Sequence, residues 1–224
     1  MKQFAAKTAR PLPVIILADV SGSMEGEKID ALNHALRGML VSFAKESRLN
    51  AEIQVALVTF GEAGAIAHVP LTPAHQITGL NELIASGSTP MGSAFRLVKQ
   101  LLEDKERIPS RAYRPTLVLV SDGYPDNDGW RMALEELSQS DRAQKATRMA
   151  MAIGNDADKK MLKSFINDPE IPLFESHQHG DDMMRFFRAV SMSVSSRSRS
   201  TTPNQILKID FDSLPDDELD LSNF

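Results

Sequence analysis

Cysteine is absent from the 224 residues. Its absence excludes disulfides, zinc–thiolate centres and thiol nucleophiles together, and it fits a reducing compartment. A surplus of bases is missing too: 25 Lys and Arg stand against 30 Asp and Glu, for a formal net charge of −5. Nucleic-acid binders leave a basic footprint, so no nucleic acid is expected as a partner. No apolar run approaches the ~18 residues of a membrane span, and no membrane is expected either. Lys2, Lys7 and Arg10 do precede an apolar stretch, Pro13–Ala18, but Asp19 ends it after six residues. A signal peptide needs a longer run and a small-residue cleavage site. The stretch reads as a buried strand and the chain as cytoplasmic.

The apolar fraction, 42%, suffices for the core of one ordinary α/β domain. Charge is distributed unevenly. Residues 209–224 carry six acids and no bases, so the −5 of the whole leaves +1 for residues 1–208.

Three runs rich in branched residues, Pro13–Ala18, Val55–Phe60 and Thr116–Val120, do not alternate with polar residues. Continuous apolar runs of this length are what strands covered on both faces look like, as in a parallel sheet. Residues 149–153 and 171–174 are weaker candidates of the same kind. Helical spacing appears between them: Ile29 to Phe43, Met91 to Leu102, Trp130 to Leu137, Ala157 to Phe165 and Met183 to Val194. The Met and Phe residues on these faces read as core packing rather than as a cofactor pocket.

One link breaks the alternation. Only Gly61-Glu62-Ala63-Gly64 separates Val55–Phe60 from Ala65–Val69, which suits a hairpin and excludes a crossover helix. The expected fold is α/β: a doubly wound, mostly parallel central sheet with one antiparallel edge strand and helices on both faces. From Ser193 the composition (SVSSRSRSTTP) becomes that of a loop. The expected domain therefore covers residues 1–195, and residues 196–224 form a flexible linker with an acidic tail.

Asp19-Val20-Ser21-Gly22-Ser23 follows the first strand, and Ser121-Asp122-Gly123 follows the Thr116–Val120 strand. Gly87-Ser88-Thr89-Pro90-Met91-Gly92 stands just before a helix. Doubly wound sheets bind ligands beyond the carboxyl ends of their strands, where strand order reverses. With strand order 3-2-1-4-5-6 the Asp19 and Asp122 carboxylates would converge on that crevice, and the 87–92 loop could cover it. Asp, Ser and Thr supply only oxygen, which suits magnesium, manganese or calcium over zinc or copper. Neutral hydroxyls would leave such an ion electrophilic, and an incoming Asp or Glu could complete its shell.

Together, Asp19, Ser21, Ser23, Thr89 and Asp122 resemble the metal-ion-dependent adhesion site of von Willebrand factor type A (VWA) domains. The resemblance extends to the G-S-T-P-M-G loop and the V-S-D-G turn, covers about residues 11 to 195, and is strongest to small cytoplasmic bacterial VWA proteins of the tellurite-resistance type. It implies that Ser21, Ser23 and Thr89 touch a divalent cation (Mg2+, or Mn2+ or Ca2+) while Asp19 and Asp122 act mainly through water. It further implies metal-dependent binding of a protein partner that presents Asp or Glu, with no enzymatic activity. A protein kinase or phosphatase in a bacterial stress-response or defence system is the partner class such relatives suggest. Ser88 departs from the pattern, standing where many relatives have glycine.

Competing readings are weaker. Either aspartate alone could be a cap or turn former. A magnesium-dependent phosphohydrolase using Asp19 would need a second Asp two residues on, where Ser21 stands. A third reading is a structural module whose metal only braces loops. His34, His68 and His75 lack a serine-elbow partner, and no GxSxG, P-loop or GxGxxG pattern occurs. His177 and His179 lack a third nitrogen or sulfur ligand and read as a solvated loop. Glu25, Glu27 and Asp30 serve the dipole of the following helix. Arg197 and Arg199 read as solvated charges. The acidic tail, 209–224, intersperses Phe211, Leu214, Leu219 and Phe224 among its acids, which favours docking to a partner over simple solubilisation or occupancy of the chain's own metal crevice.

Overall fold

The computed structural model describes residues 9–46, 50–166, 168–176 and 180–205. The order along the chain is β1 (Arg10–Asp19), α1 (Glu27–Ala44), β2 (Ala51–Gly61), β3 (Gly64–Pro73), α2 (Met91–Glu103), β4 (Thr116–Ser121), α3 (Trp130–Gln139), β5 (Thr147–Ile153), α4 (Lys159–Ile166), β6 (Phe174–Ser176) and α5 (Asp181–Arg199). The six strands form one sheet in the order β3-β2-β1-β4-β5-β6. All pairings are parallel except β2 with β3. Gly61 pairs with Gly64, which takes φ +77°, so the hairpin turns on Glu62 and Ala63 alone.

Both faces of the sheet are covered, and for this reason the strands lack polar alternation. Along β1, Leu12, Val14, Ile16 and Ala18 face a core shared with α1 and α5. Ile15 and Leu17 face the opposite core, built with α2, α3 and α4. Across that second core Phe95 of α2 stacks on Phe165 of α4, ring centroids 5.8 Å apart.

Three expectations are corrected. The last strand lies at Phe174–Ser176 rather than 171–174. Ile171 is held in a turn by its amide bond to Asp168 O, and Pro172 has no N–H to give a ladder. The stretch from Ser193 continues α5 to Arg199 rather than forming a loop, so residues 196–199, expected in the linker, are helical. Arg197 is buried, not solvated: its guanidinium donates to Pro203 O, Thr116 Oγ1 and Arg114 O. A serine-rich sequence stays helical here because tertiary contacts override a weak local propensity. Arg199 pairs with Glu46. Residues 177–179 and 206–224, and with them His177, His179 and the acidic tail, lie outside the described residues. Among the described residues no helix is long and apolar enough to cross a membrane.

Candidate metal centre

Strand order brings the ends of β1 and β4 together at the reversal point, since β1 pairs with both β2 and β4. Asp19 is the last residue of β1 and is fully buried. One of its carboxylate oxygens accepts the Ser21 amide at 2.9 Å, and the other accepts the Ser121 hydroxyl at 2.6 Å. Burial pushes its pKa from the ordinary 3.8 up to about 6. The bonds from Ser121 and Ser21 oppose that rise, and the charge of Asp122 adds to it.

After Asp19 the chain makes one 3-10 turn, Gly22–Met24, before α1. The turn sets the two serine hydroxyls 3.1 Å apart. Ser23 Oγ then donates to Asp122 Oδ1 at 2.7 Å, which closes a chain of oxygens from β1 to the end of β4. Ser21, Thr89 and Asp122 are buried, whereas Ser23 is exposed, so the cluster opens to solvent at Ser23. Thr89 arrives from the loop before α2. A Cβ placed on Gly123 would stand 3.6 Å from both Ser23 Oγ and Thr89 Oγ1, so these hydroxyls converge on the bare backbone there. All five residues singled out by the sequence thus meet in one crevice.

The loop carrying Thr89 is held by backbone. Gly22 donates to Gly87 O, Glu62 to Ser86 O and Ser86 to Val20 O. Gly87 has φ +79°, and a Cβ on it would lie 2.4 Å from Glu62 Cα, so only glycine fits. Thr89 O accepts the amides of Met91 and Asp126, which ties the loop to the segment after β4.

Three residues that support the crevice escape sequence reasoning. Ser121 fixes the Asp19 carboxylate from the neighbouring strand, a cross-strand contact invisible in local patterns. Asp128 accepts the amides of Gly92 and Ser93 and caps α2 from 36 and 35 residues away. Lys28 donates to Asp122 Oδ2 at 2.5 Å and to Ser23 O at 3.1 Å. Its one local signal was a base in the first turn of α1, where the helix dipole disfavours it. Elsewhere His68 Nε2 lies 3.2 Å from Asn81 O. Among the described residues no three His, Cys, Asp or Glu side chains gather, so the oxygen cluster stands apart from nitrogen-rich metal sites.

Beside the crevice, Val20, Gly61, Glu62, Ile66, Leu83 and Ile84 line part of a cleft of about 370 Å3. Ile84 is 78% exposed, Ile66 46%, and Tyr124, two residues after Asp122, 69%. Exposed apolar side chains thus lie on the elements that carry or neighbour the oxygen cluster.

A doubly wound sheet with carboxylates and hydroxyls gathered at its switch point places the chain among doubly wound α/β domains. The sequence profile of the von Willebrand factor type A domain matches residues 14–185, and the chain belongs to that family. No curated protein matches it in sequence. Among solved structures it resembles von Willebrand factor type A from Catenulispora acidiphila, with a TM-score of 0.66, 20% identity, and 83% of this chain and 42% of that one covered. Proximal thread matrix protein 1 from the mussel byssus, with a zinc-occupied MIDAS motif, gives 0.61 and 14%, covering 84% and 48%. Manganese-loaded TRAP protein of Plasmodium vivax gives 0.55 and 17%, covering 79% and 72%. The chain spans less than half the length of the first two. At these identities the likeness is one of fold.

Proposed function

We propose that Asp19, Ser21, Ser23, Thr89 and Asp122 hold one divalent cation, and that the chain uses it to bind a carboxylate of a partner protein. The carrying observation is the convergence of three hydroxyls and two carboxylates on one crevice that opens at Ser23. The donor set fits a hard cation, because every donor is oxygen. The buried Asp19 fits as well: its charged form is disfavoured by burial, and a nearby positive charge offsets that. When bound, the cation supplies an electrophilic position for a carboxylate oxygen. Manganese and zinc in the two structural neighbours support a divalent ion, with Mg2+, Mn2+ and Ca2+ the candidates.

This chain's own residues do the rest. Ser121 and the Ser21 amide orient Asp19. The exposed side chains of Ile84, Ile66 and Tyr124 offer apolar surface near the site, which supports a protein partner over a small polar solute. How Asp19 is placed supports the reading as an interaction module over a hydrolase. Both of its oxygens are engaged by neighbours and the residue has no exposed surface, so it is not presented as a phosphohydrolase nucleophile. Lys28 pairs with Asp122 and not with Asp19. Resemblance to tellurite-resistance-type VWA proteins supports a cytoplasmic setting and a protein kinase or phosphatase as partner.

Calorimetric titration with Mn2+ and Mg2+ tests the metal. Saturable one-site binding that Thr89→Ala weakens supports the site, and no binding by the wild-type chain would sink it. Pull-downs in Mg2+ against chelator, read by mass spectrometry, test the partner. Magnesium-dependent turnover of a phosphate ester that disappears in Asp19→Asn would instead establish the hydrolase.

A further inference from the structure

The opposite end of the sheet carries a second feature, independent of the metal reading. At the amino ends of β4 and β5 lies a cleft of about 580 Å3. Its polar wall is Arg114, Arg142 and Lys145, and Ala112, Tyr113 and Pro115 form its apolar side. Among the described residues none of the three bases forms an ion pair. Arg114 Nε donates to the Lys145 carbonyl and its backbone amide to Asn204 Oδ1. Arg142 donates Nη2 to Pro109 O, while its Nη1 is buried without a hydrogen-bond partner. The nearby acid Glu103 accepts the Arg142 amide and the Ser140 hydroxyl, not the guanidinium. Beneath them Arg197 donates only to neutral oxygens. Burial, with the like charge of Arg114 adding, pulls its pKa down to about 10. Three bases that form no ion pair among the described residues therefore stand together beside an apolar wall, with Glu103 offsetting only part of the Arg142 charge, a combination that suits an anionic, partly apolar occupant.

The chain itself supplies one. Asn204 is part of the cleft wall, and the described residues end one position later. From Gln205, five residues lead to Asp210, about 17 Å when extended. Asp210, Asp212, Asp216, Asp217, Glu218 and Asp220 follow, interspersed with Phe211, Leu214, Leu219 and Phe224. The proposed metal crevice is much farther from this starting point. Tyr113 of the cleft donates its amide to Pro11 O, and Asp19 lies eight positions along β1 from Pro11, about 26 Å of strand. A tethered segment meets the nearer of two sites at the higher effective concentration.

We propose that residues 209–224 dock in cis on the basic cleft of Arg114, Arg142 and Lys145. The six acids of the segment match the three bases in charge, and its Phe and Leu residues suit the apolar side of the cleft. The sequence expectation of a tail that docks on a partner thus becomes, in this proposal, a tail held by its own domain at the face opposite the metal centre.

Because the chain has no cysteine, Ser222→Cys in the full-length protein takes a single nitroxide label without background. Paramagnetic broadening of backbone amide signals then reports where the tail spends its time. Docking in cis gives broadening centred on residues 110–115 and 142–145, retained when labelled and isotope-enriched copies are mixed dilute and lost in high salt. Lys145→Glu should weaken it. So should a tail with its six acids changed to the corresponding amides, a variant that leaves the body untouched. Broadening centred on Ser21, Ser23 and Thr89 would overturn the proposal in favour of self-occlusion. Broadening only between separate copies would overturn it in favour of exchange between molecules, and the absence of any localised broadening would leave the tail undocked and the proposal wrong. Metal affinity is not an input, so these outcomes are independent of the cation reading.

Discussion

Lys28 Nζ stands 2.5 Å from Asp122 Oδ2, with the aspartate side chain wholly buried and the lysine 24% exposed. A base in the first turn of α1 opposes the helix dipole, so Asp122 is what holds it there. The ammonium is a tethered cation beside the proposed metal centre. Lys28→Met should therefore raise affinity for Mn2+ by roughly tenfold, since a neighbouring positive charge repels the incoming ion. The same change should destabilise the chelator-treated protein by about 1–2 kcal/mol, because Asp122 loses its partner. Titration calorimetry and urea melts measure the two. Unchanged metal affinity beside a normal wild-type titration would refute a competing role for Lys28.

Thr89→Ala should lower metal affinity by ~10–100-fold or more while leaving the melting temperature of the chelated protein nearly unchanged, since the hydroxyl packs in no core. Asp19→Ala should behave differently. It strands the Ser21 amide and Ser121 hydroxyl in a buried place and should cost about 1–3 kcal/mol of stability besides the metal. Asp19→Asn keeps the shape and separates the two effects. Equal stability loss in Thr89→Ala and Asp19→Ala would contradict this division.

Asp19 also fixes a pH dependence. Its folded pKa, about 6, lies above the unfolded 3.8, so the folded chain holds this proton more tightly. The resulting stabilisation is complete below pH 3.8 and disappears as pH rises through 6, up to about 3 kcal/mol. Chelated protein should thus carry a component of stability that declines between pH 4 and 6 and is missing in Asp19→Asn. Saturating Mg2+ or Mn2+ should erase the decline, because the cation favours the charged carboxylate. Denaturant melts across this window, compared between the two proteins, check it.

Asp128 positions Thr89 from outside the crevice by capping α2. Asp128→Ala should cost about 1 kcal/mol, typical of a lost cap, and should weaken the metal by loosening the loop before α2. Restoration of both by Asp128→Asn or Asp128→Ser would point to capping. A metal defect without a stability defect would instead place Asp128 at the ion.

Arg197→Ala should destabilise the fold by about 1–3 kcal/mol, since Thr116 Oγ1 and the carbonyls of Arg114 and Pro203 lose their donor. Arg199→Ala, whose side chain is 67% exposed, should cost at most about 1 kcal/mol. Comparable losses for the two, read by chemical denaturation, would be inconsistent with the burial of Arg197.

The alternation of apolar runs with helical faces was enough to derive the doubly wound sheet and its antiparallel edge, because burial of both faces dictates those patterns wherever the chain goes. That the five residues proposed as metal ligands meet was legible for a related reason: each follows a strand or precedes a helix, so the topology brings them to one end. What sequence could not reach were relations between distant segments. Ser121 meets Asp19 only because β1 and β4 are neighbours, and Asp128 caps a helix that begins 37 residues earlier. Arg197 looked solvated because its neighbours are serines, yet the pairing of α5 with the start of β4 buries it. Composition sets which groups a segment offers; only the packed chain decides which are taken from water, and with that which charges must find a partner.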